Sequence, residues 1–163
     1  MLSGSLLPFA DKSFDAVIAS DVMEHVPPQT RGQVFSEALR VSRKVVVIGY
    51  PSGSAAFAAD RELRELYVKK NEAPPVWLEE HMLHPFPNGE LFSDMEPGWK
   101  VRSIPNESVE FHRTMMRLEM YRGLNLLFRA ALKTIPGVME KFLERKDSEP
   151  SYRKIFVLVR QEQ

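Results

Sequence analysis

Residues 14–50, FDAVIASDVMEHVPPQTRGQVFSEALRVSRKVVVIGY, decide the fold. Phe14–Ser20 is a short apolar run between polar residues, the pattern of a strand covered on both faces. Pro27-Pro28-Gln29-Thr30 follows as a turn whose prolines suit the first position of a helix; Thr30 and Gln33 also have capping-box spacing. Val34, Phe35, Ala38, Leu39 and Val41 recur at helical spacing, which leaves Arg31, Glu37 and Arg40 for solvent. Val45-Val46-Val47-Ile48 is then a continuous β-branched strand. Strand, helix and strand inside ~35 residues make a βαβ unit of a parallel sheet, with a right-handed crossover.

Outward from this unit the pattern loosens. Pro51-Ser52-Gly53-Ser54 is a turn, and a helix is expected over 55–70. Ala73-Pro74-Pro75 breaks it; a short helix is expected over 77–83, a loop over 85–89 and one helical turn over 90–94. Trp99–Ile104 reads as a strand, 108–133 as a long helical region that continues past Pro136-Gly137, and Ile155–Val159 as the last strand. The fold class is therefore α/β in a single domain, 1–163, with 51–98 and 105–152 as helical insertions or a cap.

Composition narrows the function. Lys plus Arg and Asp plus Glu are 22 each, so the net charge is zero, which argues against a nucleic-acid binder working by bulk charge. The absence of cysteine excludes disulfides, thiolate nucleophiles and Cys-based zinc sites. No apolar run approaches the ~20 residues of an integral membrane segment. Met1-Leu2-Ser3-Gly4-Ser5 lacks the basic and apolar regions of a signal peptide, so a cytoplasmic location is expected.

Leu7-Pro8-Phe9, Ser13-Phe14-Asp15, the apolar strand and Met23-Glu24-His25-Val26 together resemble the middle of class I, Rossmann-like S-adenosylmethionine-dependent methyltransferases of the small-molecule type, with Met23 where the family commonly has Leu. That resemblance implies a seven-stranded sheet of order 3-2-1-4-5-7-6 with strand 7 antiparallel. Residues 14–20, 45–50, 99–104 and 154–160 would be strands 4, 5, 6 and 7, so the expected sheet is a partial one. Strands 1 and 2 and the Gly-rich cofactor turn have no counterpart in the chain. By resemblance Ser5 and Leu6 would lie against the adenine, and Ser20 and Asp21 would face the methionine part of the cofactor or the substrate. The implied parent activity is methyl transfer from S-adenosylmethionine to a small-molecule or lipid-like acceptor, with the truncated chain inactive alone. The other reading is a non-catalytic interaction module, a homodimer through the strand 14–20 edge, because that strand would carry unpaired backbone groups.

Single residues admit two readings each. His25 is the candidate catalytic residue, able to remove a substrate proton; alternatively Glu24 and His25 simply open the turn into the next helix. Glu80, His81 and His84 suggest a metal, but the spacing and Pro85 make a substrate cap the expectation and no metal site is assigned. His112 is expected to be structural. Met120, Tyr121, Leu124, Leu127, Phe128 and Ala131 form a stripe expected to pack on the body rather than on a membrane.

Overall fold

In the computed structural model of the protein, the described residues are 7–93, 95, 97–121, 126, 127, 130, 133, 134, 137, 141 and 145–161. They form β1 (Phe14–Ser20), α1 (Pro28–Val41), β2 (Ser42–Pro51), α2 (Gly53–Lys69), α3 (Val76–His81), a 3-10 turn at Gly89–Phe92, β3 (Trp99–Ser108), α4 (Val109–Glu119) and β4 (Ser151–Arg160). The sheet order is β1-β2-β4-β3. β1 and β2 are parallel, with Ala16 opposite Val45 and Ser20 opposite Gly49. β4 lies antiparallel between β2 and β3, with Ile48 opposite Phe156 and Ser103 opposite Phe156 on its other side. Taken in chain order, this is the arrangement expected of the four strands, with the last one antiparallel. Of the stripe proposed over residues 120–133, Leu124, Phe128 and Ala131 lie outside the described residues; Tyr121 and Leu127 are 55% and 68% exposed, so at these positions the stripe is not packed on the body as expected.

The three apolar runs became strands because β-branched residues fit a pleated surface packed on one or both faces. β2 and β4 hold the centre: Val46, Ile48, Tyr50, Phe156 and Leu158 are buried, and α1 lays Phe35, Ala38 and Leu39 on them. Tyr50 stacks on Phe156 with ring centroids 5.2 Å apart. A second cluster, with Ala56 and Ala59 of α2, Phe86, Val109 of α4 and Tyr152 of β4, joins the later helices to the sheet.

Three local expectations change. β1 is not covered on both faces, since Ile18 is 73% exposed, and among the described residues it pairs only with β2. β3 runs four residues past Ile104, because Pro105, Asn106 and Ser108 continue in register with Lys154, Arg153 and Ser151, so the helical stretch begins at Val109. Arg31, assigned to solvent by helical spacing, is buried. α1 opens with Pro28 in its first turn, without a side-chain cap; Pro28 and Gln29 are exposed, and Arg31 is the residue of that turn that faces the β1–α1 loop. There Arg31 Nε donates to the Met23 and Val26 carbonyls at 3.1 and 3.0 Å, and Nη2 to the Pro85 carbonyl at 2.8 Å. Glu37 and Arg40 do pair near the surface, Arg40 also reaching Asp11 at 2.7 Å.

Hydrogen bonds from a charged donor contribute ~1.5–3 kcal/mol each, and orphaned buried carbonyls cost a further amount. Arg31→Met, which keeps most of the volume, is expected to destabilise the fold by about 2–4 kcal/mol, read as a lowered urea midpoint with unchanged slope.

Candidate functional site

Beyond the carboxyl end of β1 the chain makes one further sheet-like bond, Asp21 N–H to the Gly49 carbonyl at 2.8 Å, and then turns away with Asp21 at φ +53°. That left-handed conformation is uncommon outside glycine, though Asp tolerates it better than most residues. The Ser20 hydroxyl donates to Asp21 Oδ2 at 3.1 Å. Sequence reasoning missed what holds them. Arg153 of β4 crosses over β2, donates to Ser20 Oγ at 2.7 Å and pairs with Asp21 Oδ2 at 2.9 Å. Gly49 leaves room for the crossing: a Cβ there would sit 3.1 Å from the Arg153 guanidinium, a tight contact. Ser5 and Leu6 lie outside the described residues.

The turn continues with Met23 and Glu24, each 1% exposed, and with His25 on the solvent side. Glu24 Oε2 is buried with no hydrogen-bond partner among the described residues. Burial pushes the Glu24 carboxyl above the usual carboxylate range, helped by the nearby charge of Asp21. His25 Nδ1 lies 3.8 Å from Glu80 Oε2, and its ring centroid is 5.3 Å from that of His81. Ligand-capable atoms of Glu24, His25 and His81 all fall within 4.8 Å of one another. His84, the other member of the motif weighed for a metal, is not among them.

Behind His81 lies a buried polar network. Asp60 of α2 is fully buried and accepts from the Tyr152 hydroxyl at 2.8 Å, with His81 Nδ1 at 2.7 Å and His112 Nε2 at 3.2 Å. Glu107 takes the other ring nitrogen of His112 at 3.1 Å. The His112 and Tyr152 rings are stacked, 7° from parallel. Burial alone would raise the Asp60 pKa, but the bonds from His112, His81 and Tyr152 outweigh it and hold the carboxyl below its usual value. Burial likewise works against a charged His112, yet its bonds to Asp60 and Glu107 keep its pKa above that of an ordinary histidine. The Tyr152 hydroxyl is pushed well above the phenol range, by burial first and then by the charge of Asp60. His112 is thus a structural residue, as expected, but part of a network that spacing did not disclose. One signal was available: Asp60 falls on the stripe of α2 otherwise made of Ala56, Ala59 and Leu63, a charge on a face that must be buried.

The geometry defines an α/β domain with a polar turn at the carboxyl end of an edge strand, the region where open α/β sheets bind ligands. Residues 2–48, which span β1, α1 and most of β2, match the model of the methyltransferase domain family. Solved structures are similar at low identity. Phosphoethanolamine N-methyltransferase 2 of Haemonchus contortus, in complex with phosphomonomethylethanolamine and S-adenosylhomocysteine, shares 16% identity over 95% of this chain and 35% of its own, with a TM-score of 0.41. A S-adenosylmethionine-dependent methyltransferase of Archaeoglobus fulgidus shares 15% over 94% of this chain and 62% of its own, with a TM-score of 0.39. The chain therefore spans less than two thirds of the length of either. No curated protein matches significantly.

Two measurements test the network. Asp60→Asn leaves two histidines and a tyrosine facing a neutral amide and is expected to destabilise by about 3–5 kcal/mol, while Tyr152→Phe should lose about 1–2 kcal/mol; urea unfolding measures both. Because the folded pKa of His112 is raised, its stabilisation is fully present below the unfolded value near ~6.5 and is lost as pH rises through the folded value. The urea midpoint should fall as pH rises above ~6.5, and His112→Gln should flatten that slope.

Proposed function

We propose that the chain is the acceptor-side portion of a class I S-adenosylmethionine-dependent methyltransferase whose acceptor is a small molecule or lipid-like compound. The observation that carries this reading is the Ser20–Asp21 pair, which stands at the carboxyl end of β1 inside the matched segment. When bound, the cofactor supplies an electrophilic methyl group. Asp21 offers a carboxylate suited to the amino group of its methionine part, and Ser20 a hydroxyl beside it. Arg153 sets the position of both. His25, partly open to solvent one turn further on, is the group placed to take a proton from an acceptor, and α3 covers that side as a cap. Positioning of the acceptor in line with the methyl group would supply much of the rate.

These residues fit one wall of a cofactor site. The hydroxyl and carboxylate already serve Arg153, and the chain has no G-x-G-x-x-G turn to admit the cofactor closely. Several hydrogen bonds at ~1 kcal/mol each are therefore missing, and the chain alone is expected to bind the cofactor feebly. In an NMR titration with millimolar S-adenosylhomocysteine, shifts should cluster on Ser20–Val26 and Arg153 and weaken in Asp21→Ala. Shifts elsewhere, or none, would count against the assignment; micromolar affinity by calorimetry would overturn the expectation of feeble binding.

The exposure of Ile18 on a strand with one partner favours a second reading, in which β1 pairs with β1 of another copy. Light scattering after size exclusion should then give a dimer that Ile18→Lys returns to monomer. A monomeric wild-type chain ends that idea.

A further inference from the structure

The β1–α1 turn and α3 bring two imidazoles and a carboxylate to one point, and three observations there exceed what packing requires. The first is Glu24. A carboxyl group that is 1% exposed normally has both oxygens bonded, yet its Oε2 has no partner among the described residues. The nearest buried cation does not answer it: Arg31 directs Nε and Nη2 to backbone carbonyls. The second is His81. It is buried, and its Nδ1 is 2.7 Å from the Asp60 carboxylate. An ionised carboxylate can only accept, so Nδ1 carries the proton and Nε2 is the nitrogen left to present a lone pair. A histidine oriented by a carboxylate through one nitrogen and free at the other is the arrangement of a metal ligand with its supporting partner. The third is His25, whose ligand-capable nitrogen joins the other two within 4.8 Å.

We infer that Glu24, His25 and His81 form a binding site for a divalent transition-metal ion, with Asp60 orienting His81. Two imidazoles and one carboxylate suit zinc and its neighbours, whereas magnesium and calcium favour all-oxygen sets. Tetrahedral ligands at ~2.0–2.1 Å from the ion stand about 3.4 Å apart. The three side chains must therefore close in by about an ångström, and His25 has the freedom to do so because its side chain is 38% exposed. Glu80 Oε2 is a carboxylate neighbour of His25, 3.8 Å from its Nδ1, beyond the hydrogen-bond distance at which Asp60 orients His81. Three protein ligands with one side toward solvent leave a coordination position open. This inference does not depend on methyl transfer, since its readout is the ion itself.

The test uses the tag-free full chain, stripped of metal by a chelator, titrated separately with Zn(II) by calorimetry and with Co(II) by visible absorption. One ion per chain is expected, with the d–d bands of low-coordinate cobalt. His25→Ala and the isosteric Glu24→Gln should each lower affinity at least 100-fold. Asp60→Asn, which keeps the ligands but not the orienting charge, should lower it about 10- to 100-fold. His84→Ala should bind as the wild type does. Absence of one-to-one binding, or affinity retained in both His25→Ala and Glu24→Gln, overturns the site. Loss of binding in His84→Ala with His25→Ala unaffected also overturns it, because the ion would then sit elsewhere. His25 is on the surface and Glu24→Gln preserves shape, so neither substitution depends on the fold surviving a large change.

Discussion

A carboxylate with no exposure remains charged only where donors fill its lone pairs, because the cost of desolvation is several kcal/mol otherwise. Asp60 meets that condition with groups drawn from three other elements: His81 at the end of α3, His112 in α4 and Tyr152 at the start of β4. Of the three helices involved, α2 packs Ala56 and Ala59 into the second apolar cluster, whereas the shorter α3 and α4 bury little. α3 buries only Leu78 and His81, and α4 only Val109 and His112. What fixes these helices is therefore largely directional. Hydrogen bonds at 2.7–3.2 Å set where the histidine rings point, which apolar packing of such short elements would leave loose.

The same network reaches the carboxyl end of β1. His81 is the hinge between the two, bonded behind to Asp60 and facing His25 and Glu24 in front. Arg31 closes the turn from the α1 side by binding the carbonyls of Met23 and Val26, and it ties the turn to the loop at Pro85. Arg153 closes it from the sheet side through Ser20 and Asp21. Seven residues of loop are thus held from three directions by side chains rather than by regular pairing. Such support is what a site needs if its groups are to keep their geometry.

Legibility followed the range of the interaction that decided each feature. β1, β2 and β4 were readable because a run such as Val45–Ile48 is buried by its own composition. The end of β3 was not, since Pro105 and Asn106 have no strand preference and are held by pairing with Lys154 and Arg153 about fifty residues away. Arg31 misled for a related reason. Helical periodicity sorts faces into apolar and polar, but a cation can lie on a buried face when backbone carbonyls await it. Ser20, Asp21 and His25 were singled out through a local motif, while Arg153, which bonds Ser20 and Asp21, and Asp60, which bonds His81, are remote from it in sequence and belong to no motif.

Gly49 and Asp21 show how far the backbone was adapted to this one end of the sheet. Gly49 spares the Arg153 guanidinium a tight contact with a Cβ on its way across β2, although glycine weakens a central strand. Asp21 holds a left-handed conformation that lets the chain leave the sheet immediately after its last bond to Gly49. A loop needed merely to connect β1 to α1 would require neither. Glu24 adds to the cost, because a buried carboxyl without a partner destabilises unless its proton or a cation neutralises it. Two unfavourable choices within four residues, Asp21 and Glu24, with Gly49 beside them on β2, are hard to reconcile with a turn whose role is only to reverse the chain. They are reconciled if the turn exists to present charge and lone pairs to something that enters from outside.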